Sequence, residues 1–207
     1  GKIKSKALET GAKKAYVVDL KKEFLDKYAF QGLKANALYE GKYPLATALA
    51  RPLIAKKMVE VAKKEKVDAL AHGCTGKGND QVRFEVSFKA LAPELEIIAP
   101  LRDWGFTTRE DEIEYASKND IKVKATKDSP YSIDQNIWGI SIECGELENP
   151  WNEPPADAYH WTEDLENTPD KEFNLKIAFQ NGKPISLNGM KMNCVKLVKK
   201  LNSNFQI

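Results

Sequence analysis

The chain has 207 residues, of which 42% are hydrophobic and 30% charged, and a formal net charge of +2 at neutral pH. That balance is ordinary for a globular protein, and the small net charge gives no electrostatic ground for nucleic acid or an anionic membrane as the main partner. No apolar run approaches a membrane span and no signal-peptide pattern opens the chain, while Cys74, Cys144 and Cys194 lack metal-ligand spacing; they read as reduced thiols of a cytoplasmic protein with no metal site.

Taken in order, residues 2–10 read as a helix that Gly11 closes from the C′ position. Ala15 to Val18 is a short apolar run expected to be a strand, and Asp19 can cap the next helix, which carries Phe24, Leu25, Tyr28 and Ala29 at helical spacing. A second helix is expected from Thr47 to Lys64, with Leu49, Leu53, Ile54, Met58 and Val61 on its apolar face. Val67 to Ala71 reads as a strand, Val82 to Leu91 as an amphipathic helix stopped by Pro93, and Leu95 to Ala99 as another strand. Thr108 followed by Asp111 opens a short helix through Tyr115, and Ile121 to Val123 is a further strand. Alternation of strands and helices implies an α/β fold with a doubly wound, mostly parallel, Rossmann-like sheet. Beyond about Lys127 the character changes, so residues 1–127 and 128–207 are expected to be separate domains. Residues 129–169 are rich in turns and aromatics. Phe173, Leu175, Ile177 and Phe179 then alternate with polar residues, Asn181-Gly182 signals a hairpin turn, and Lys183 to Leu187 returns as its partner strand. A helix from Asn193 to Leu201 follows, and this half reads as α+β.

The stretch His72-Gly73-Cys74-Thr75-Gly76-Lys77-Gly78-Asn79-Asp80 carries the chemistry. It lies between a strand and a helix start, where backbone N–H groups bind anions and where ligands of parallel sheets sit. Three glycines permit close approach and positive φ. Asn79 and Asp80 are good N-cap residues, and Arg83 falls on the same helical face. An acid, an amide and a guanidinium beside an anion cradle suit a zwitterionic ligand. The stretch matches neither the Walker A loop nor the GxGxxG fingerprint, and a glycine-rich turn before a capped helix is also an ordinary structural device. His72 reads as a hydrogen-bonded wall residue rather than a base, and Cys74 has no base beside it to make it a nucleophile. Trp151 and Trp161 read as packing or subunit contact.

Gly73 to Glu85 closely resembles the substrate loop of the argininosuccinate synthase family. Further blocks resemble it in the same order: Ala35 to Glu40, Tyr43 to Leu45, Leu49 to Pro52, Ile98 to Arg102, Ser132 to Asn136 and Leu147 to Pro150. The resemblance runs from about Lys6 to Leu201. It implies a first domain of the adenine-nucleotide alpha-hydrolase type and part of a synthetase domain. It also implies a two-step ligation with ATP as a substrate, Mg as its metal, and citrulline and aspartate as the other substrates. The citrulline ureido oxygen attacks the α-phosphorus, pyrophosphate leaves, and the aspartate amine then displaces AMP from the citrullyl-adenylate. By the family pattern Thr75, Asn79 and Asp80 hold aspartate. Tyr43, Asn79, Arg83, Ser132 and Ser141 hold citrulline, and Ala71, His72, Gly73, Cys74, Thr75, Gly76, Lys77, Gly78 and Asn79 lie along ATP. No side chain is assigned as a catalytic nucleophile, because the substrates supply both. Taken alone, Ser132 and Ser141 read as ordinary turn or strand serines, and Tyr43 as a turn residue.

The family's N-terminal serine-glycine-glycine-leucine-aspartate loop, its later citrulline-binding glutamate and tyrosine, and its oligomerising C-terminal region have no counterpart here. Ala48 stands where some members have a citrulline-binding serine. The expectation is an internal fragment or truncated product, homotetrameric only in the full family proteins. Its alternative function is a catalytically inactive aspartate- or nucleotide-binding module. A tRNA-thiolating relative is a weaker alternative, against which the small net charge and the absence of paired reactive cysteines count.

Overall fold

The computed structural model describes residues 2–76, 78–105, 109–121, 131–163 and 165–205. Helix α1 (Lys2–Glu9) is solvent-exposed and ends at Gly11, whose φ of +98° is the left-handed geometry that a terminating glycine supplies. The next helical stretch is continuous but changes pitch. It runs through α2 (Lys21–Phe24), a π turn (Leu25–Ala29) and α3 (Phe30–Lys34). Its N-cap is Leu20 rather than Asp19, whose carboxylate accepts the Lys21 N–H at 3.0 Å from one position earlier.

Ala15 to Val18 is not a strand. A strand needs a neighbour to take its backbone groups, and among the described residues none pairs with this run. Tyr16, Val17 and Val18 are accordingly exposed.

Helix α4 (Ala46–Glu65) is the spine of the molecule. It buries Ala46 and Thr47 in its first turn, then Leu53 on one side and Ala55, Val59 and Ala62 on the other. Ile54, Met58 and Val61, expected on the apolar face, line an open groove of about 690 Å³ with Tyr16, Val18 and Leu70, and Met58 also packs against the core. β1 (Ala69–Ala71), α5 (Asn79–Leu91) and β2 (Glu96–Ile98) follow, and the two strands pair in parallel with Leu70 opposite Ile97. One core joins α4, β1 and α5 through Ala55, Val59, Ala62, Leu70, Phe88 and Ala92. Helix α6 (Arg109–Lys118) runs a turn further than its sequence signal. The strand expected at Ile121–Val123 lies, beyond its first residue, outside the described residues.

The second half contains a hairpin with no counterpart among the expected elements, β3 (Ser132–Gln135) with β4 (Ile140–Glu143). Its turn rests on α4. Asn136 donates to the Ala46 carbonyl at 2.9 Å, and a Cβ on Gly139 would lie 3.2 Å from the Ala46 Cβ. The alternating run yields only β5 (Ile177–Gln180), all of it exposed, paired with β6 (Lys183–Leu187). Asn181 and Gly182 both take positive φ, 50° and 71°, as a two-residue primed turn demands. A second Asn-Gly pair, Asn188-Gly189, repeats the device and adds β7 (Met190–Lys191). Helix α7 (Cys194–Phe205) starts where Asn193 accepts the Lys196 N–H at 2.9 Å. Its Val198 joins Phe24, Leu25, Ala29, Phe30 and Leu53 in a second core, with Trp138 of the hairpin turn packed against it. This core draws on residues from both sides of position 127.

Candidate functional site

β1 delivers the chain to the glycine turn, and the His72 N–H extends the parallel ladder by donating to the Ile98 carbonyl at 3.1 Å. The turn therefore leaves from the carboxyl end of a parallel strand, where such sheets hold ligands. Gly73, Gly76 and Gly78 do not use positive φ. Their value is space: a Cβ on Gly73 would meet nothing within 4 Å, whereas one on Gly78 would sit 3.4 Å from the Thr75 hydroxyl. Lys77 lies outside the described residues.

Helix α5 begins at Asn79 with Gly78 as its N-cap and no side-chain cap. Asn79 and Asp80 are therefore not caps; they occupy the first two helical positions, with Asn79 exposed and Asp80 half-buried. The Asp80 carboxylate turns away from its own helix end because two guanidinium groups hold it. Arg83 donates to Oδ1 at 2.8 Å, and Arg51 of α4 donates through Nε to Oδ2 at 2.7 Å. Burial would raise the Asp80 carboxyl, but the hydrogen bonds from Arg51 and Arg83 outweigh it and hold the group below the usual carboxylate range.

Arg51 also reaches across to the β3–β4 hairpin, where its Nη2 lies 3.2 Å from Asp134 Oδ2. Asp134 is opposite Ser141 and Ser132 opposite Glu143. Directly opposed residues share a face, and so do residues two apart on one strand. Both serines therefore lie on the face from which Asp134 meets Arg51. The result is a line of alternating charge, Arg83–Asp80–Arg51–Asp134, that ties the glycine turn, α4 and the hairpin together.

Tyr43 is tied to the same helix. Its hydroxyl accepts the Thr47 N–H at 3.1 Å, doing the work of an N-cap for α4, and Leu45 between them takes a φ of 55°. Thr47 precedes Arg51 by four residues, so the two share one helical face. Gly139 of the hairpin turn also packs on Pro44. The structure thus brings Asp80 and Asp134 to Arg51, sets Arg83 on the far side of Asp80, puts Ser132 and Ser141 on the Asp134 face of the hairpin, and ties Tyr43 to the first turn of α4. Thr75 and Asn79 stay exposed on the turn beside Asp80.

His72 is a wall residue, as its position suggested. Its Nδ1 accepts the Cys74 N–H at 3.2 Å, so its proton is on Nε2, which lies 3.1 Å from Glu85 Oε1. Burial and the nearby Arg102 charge push its pKa down. The Cys74 thiol is pushed up by burial and by Asp80, which keeps it a thiol rather than a nucleophilic thiolate.

Arg51 and Asp134 escaped the residue-level reading because their partners are 29 and 83 positions away in sequence. The one signal available was that Arg51 and Asp134 both fall inside the blocks that carry the family resemblance.

Two family models match the chain, Arginosuccinate synthase N-terminal HUP domain over residues 1–122 and Arginosuccinate synthase C-terminal domain over residues 131–205. Curated relatives named argininosuccinate synthase include one from Geobacillus sp. (strain WCH70), 58% identical over 201 residues, which is 97% of this chain and 50% of that protein. Those from Chlorobium luteolum (strain DSM 273 / BCRC 81028 / 2530) and Bacillus subtilis (strain 168) are 57% and 56% identical over 200 residues; each match covers 97% of this chain, and 50% and 49% of the respective relatives. The chain thus spans about half the length of the curated relatives it matches.

Proposed function

The chain belongs to the argininosuccinate synthase family, and from that premise we propose that its glycine turn and charge line form the aspartate, citrulline and ATP site of an ATP-dependent carbon–nitrogen ligase in arginine biosynthesis. The observation that carries this reading is the convergence of Asp80, Arg83, Arg51 and Asp134 at the carboxyl end of β1. The substrates supply both nucleophiles, so the protein's task is to position them and neutralise charge. The aspartate ammonium goes to Asp80, whose Oδ1 keeps a lone pair beyond the bond from Arg83. Thr75 and Asn79 complete the aspartate site. Asn79, Arg83, Tyr43, Ser132 and Ser141 surround citrulline, and Ala71 to Asn79, Lys77 included, follows ATP. Magnesium belongs to the same reading, as part of the Mg-ATP substrate. Residence in the cytoplasm belongs to the same reading, as do a homotetrameric state for full-length members and a domain division near residue 127. Among the described residues no helix is long and apolar enough to cross a membrane.

The second reading, a module that binds aspartate or nucleotide without turnover, is kept because the chain spans half the length of its relatives. Pyrophosphate release with citrulline, aspartate and Mg-ATP separates the two. Release that needs all three substrates and is lost in Asp80→Ala supports the ligase. Aspartate binding that is lost in Asp80→Ala, with no release, supports the module. Neither binding nor release contradicts both.

A further inference from the structure

We propose that Arg102 is a positioning residue that clamps both ends of the Cys74–Gly76 backbone through two arms, one running by Gln81 and the other by Glu85 and His72. In the first arm Arg102 Nε donates to Gln81 Oε1 at 3.0 Å, and Gln81 Nε2 donates to the Gly76 carbonyl at 2.6 Å. In the second, the Arg102 guanidinium pairs with Glu85, Glu85 Oε1 lies 3.1 Å from His72 Nε2, and His72 Nδ1 accepts the Cys74 N–H at 3.2 Å. The circuit closes on the turn from both sides.

Its anchorage differs from that of an exposed ion pair, because the His72 side chain is only 4% exposed. Arg102 itself ends the short 3-10 turn Pro100–Arg102 that follows β2. One side chain thus ties the loop after β2 to the loop after β1, the two segments that form the ligand rim of a parallel pair. A glycine-rich turn left to itself is conformationally loose, and ordering it on ligand arrival would cost affinity. Donors aimed in advance avoid that cost. The guanidinium suits the role because its fixed fork holds Gln81 and Glu85 at once, whereas an ammonium on a flexible stem keeps the charge but not the fork.

The test is amide exchange at Cys74, which Arg102 does not touch. In Arg102→Gln the Cys74 N–H is expected to exchange about tenfold faster, the loss of roughly one hydrogen bond, with the Leu70 and Phe88 amides unchanged. Arg102→Lys is expected to restore Cys74 protection, since its charge still pairs with Glu85. Unchanged Cys74 exchange in Arg102→Gln overturns the clamp, and so does acceleration spread equally over Leu70 and Phe88. Gln81→Ala tests the other arm without removing the charge: Cys74 protection stays, and Mg-ATP binding weakens by about tenfold. The ATP measurement rests on the function proposed above, but the exchange measurement does not. Loss of Cys74 protection in a chain that takes up no Mg-ATP would support the clamp while sinking the nucleotide reading.

Discussion

Removing Arg51 should reveal how much of the site's architecture depends on one guanidinium. Its Nε and Nη2 both lie within 2.7 Å of Asp80 Oδ2, and the two side chains are 20% and 26% exposed. The pair stands between a surface ion pair, worth about 0–1 kcal/mol, and a fully buried one, whose breaking costs about 3–5 kcal/mol. Arg51→Ala is therefore expected to cost about 2 kcal/mol. In a cycle with Asp80→Ala the coupling should be about 1–2 kcal/mol, the range of a charge-assisted hydrogen bond. The cycle with Asp134→Ala should give less, because Asp134 is 45% exposed and its contact is longer at 3.2 Å. Urea unfolding by linear extrapolation reads these values. The sign in acid is also determined. Asp80 has a depressed folded pKa, so its contribution is complete above the ordinary carboxylate value and fades as pH falls through the folded one. A coupling below about 0.3 kcal/mol at neutral pH, within the scatter of additive sites, would show that the Arg51–Asp80 pair does not hold the site together. A coupling that persists once Asp80 is protonated would show that it does not come from the charge pair.

Gly139→Ala should destabilise the chain by about 1–3 kcal/mol, because the added methyl meets the Ala46 Cβ at 3.2 Å and the Pro44 Cγ at 3.5 Å; an unchanged melting temperature would contradict this. Glu23, bonded first by Lys56 and then by Lys57, should titrate at about 2 rather than at 4.5. Its contribution to stability is thus present above 4.5 and lost as pH falls toward 2, and carbon-detected NMR titration of Glu23 in wild type and in Lys56→Met checks both the value and its cause. The apolar groove beside Tyr16, Val18 and Leu70, next to an edge of β1 that no strand among the described residues pairs, should make the chain self-associate as its concentration rises. Sedimentation velocity should show that Val18→Lys reduces this association, and monomers of both proteins at every concentration would rule it out.

What could be read from the sequence was what is encoded locally. The strand–turn–helix order around Gly73, the Asn193 start and the Asn181-Gly182 hairpin each depend on neighbours within a few residues, and each is present. Ala15–Val18 has the composition of a strand, but a strand is a relation between two segments and among the described residues this one has no partner. The apolar period of α4 correctly gave a helix. It did not give the division between core and groove, because Leu53 and Ile54 look alike until their surroundings are known. The site was legible in its loop and illegible in its wiring. Asp80 and Arg83 announce themselves at helical spacing, whereas Arg51 and Asp134 meet only after α4 and the β3–β4 hairpin have docked.

Asp80, braced by Arg51 and Arg83, is the residue proposed to receive the ammonium group of aspartate. Titration calorimetry of aspartate into the wild-type chain and into Asp80→Asn tests this role directly. Binding to the wild type is expected to weaken by about 10- to 100-fold in the variant, the loss of a hydrogen bond to a charged group. Equal affinity in the two proteins would contradict it.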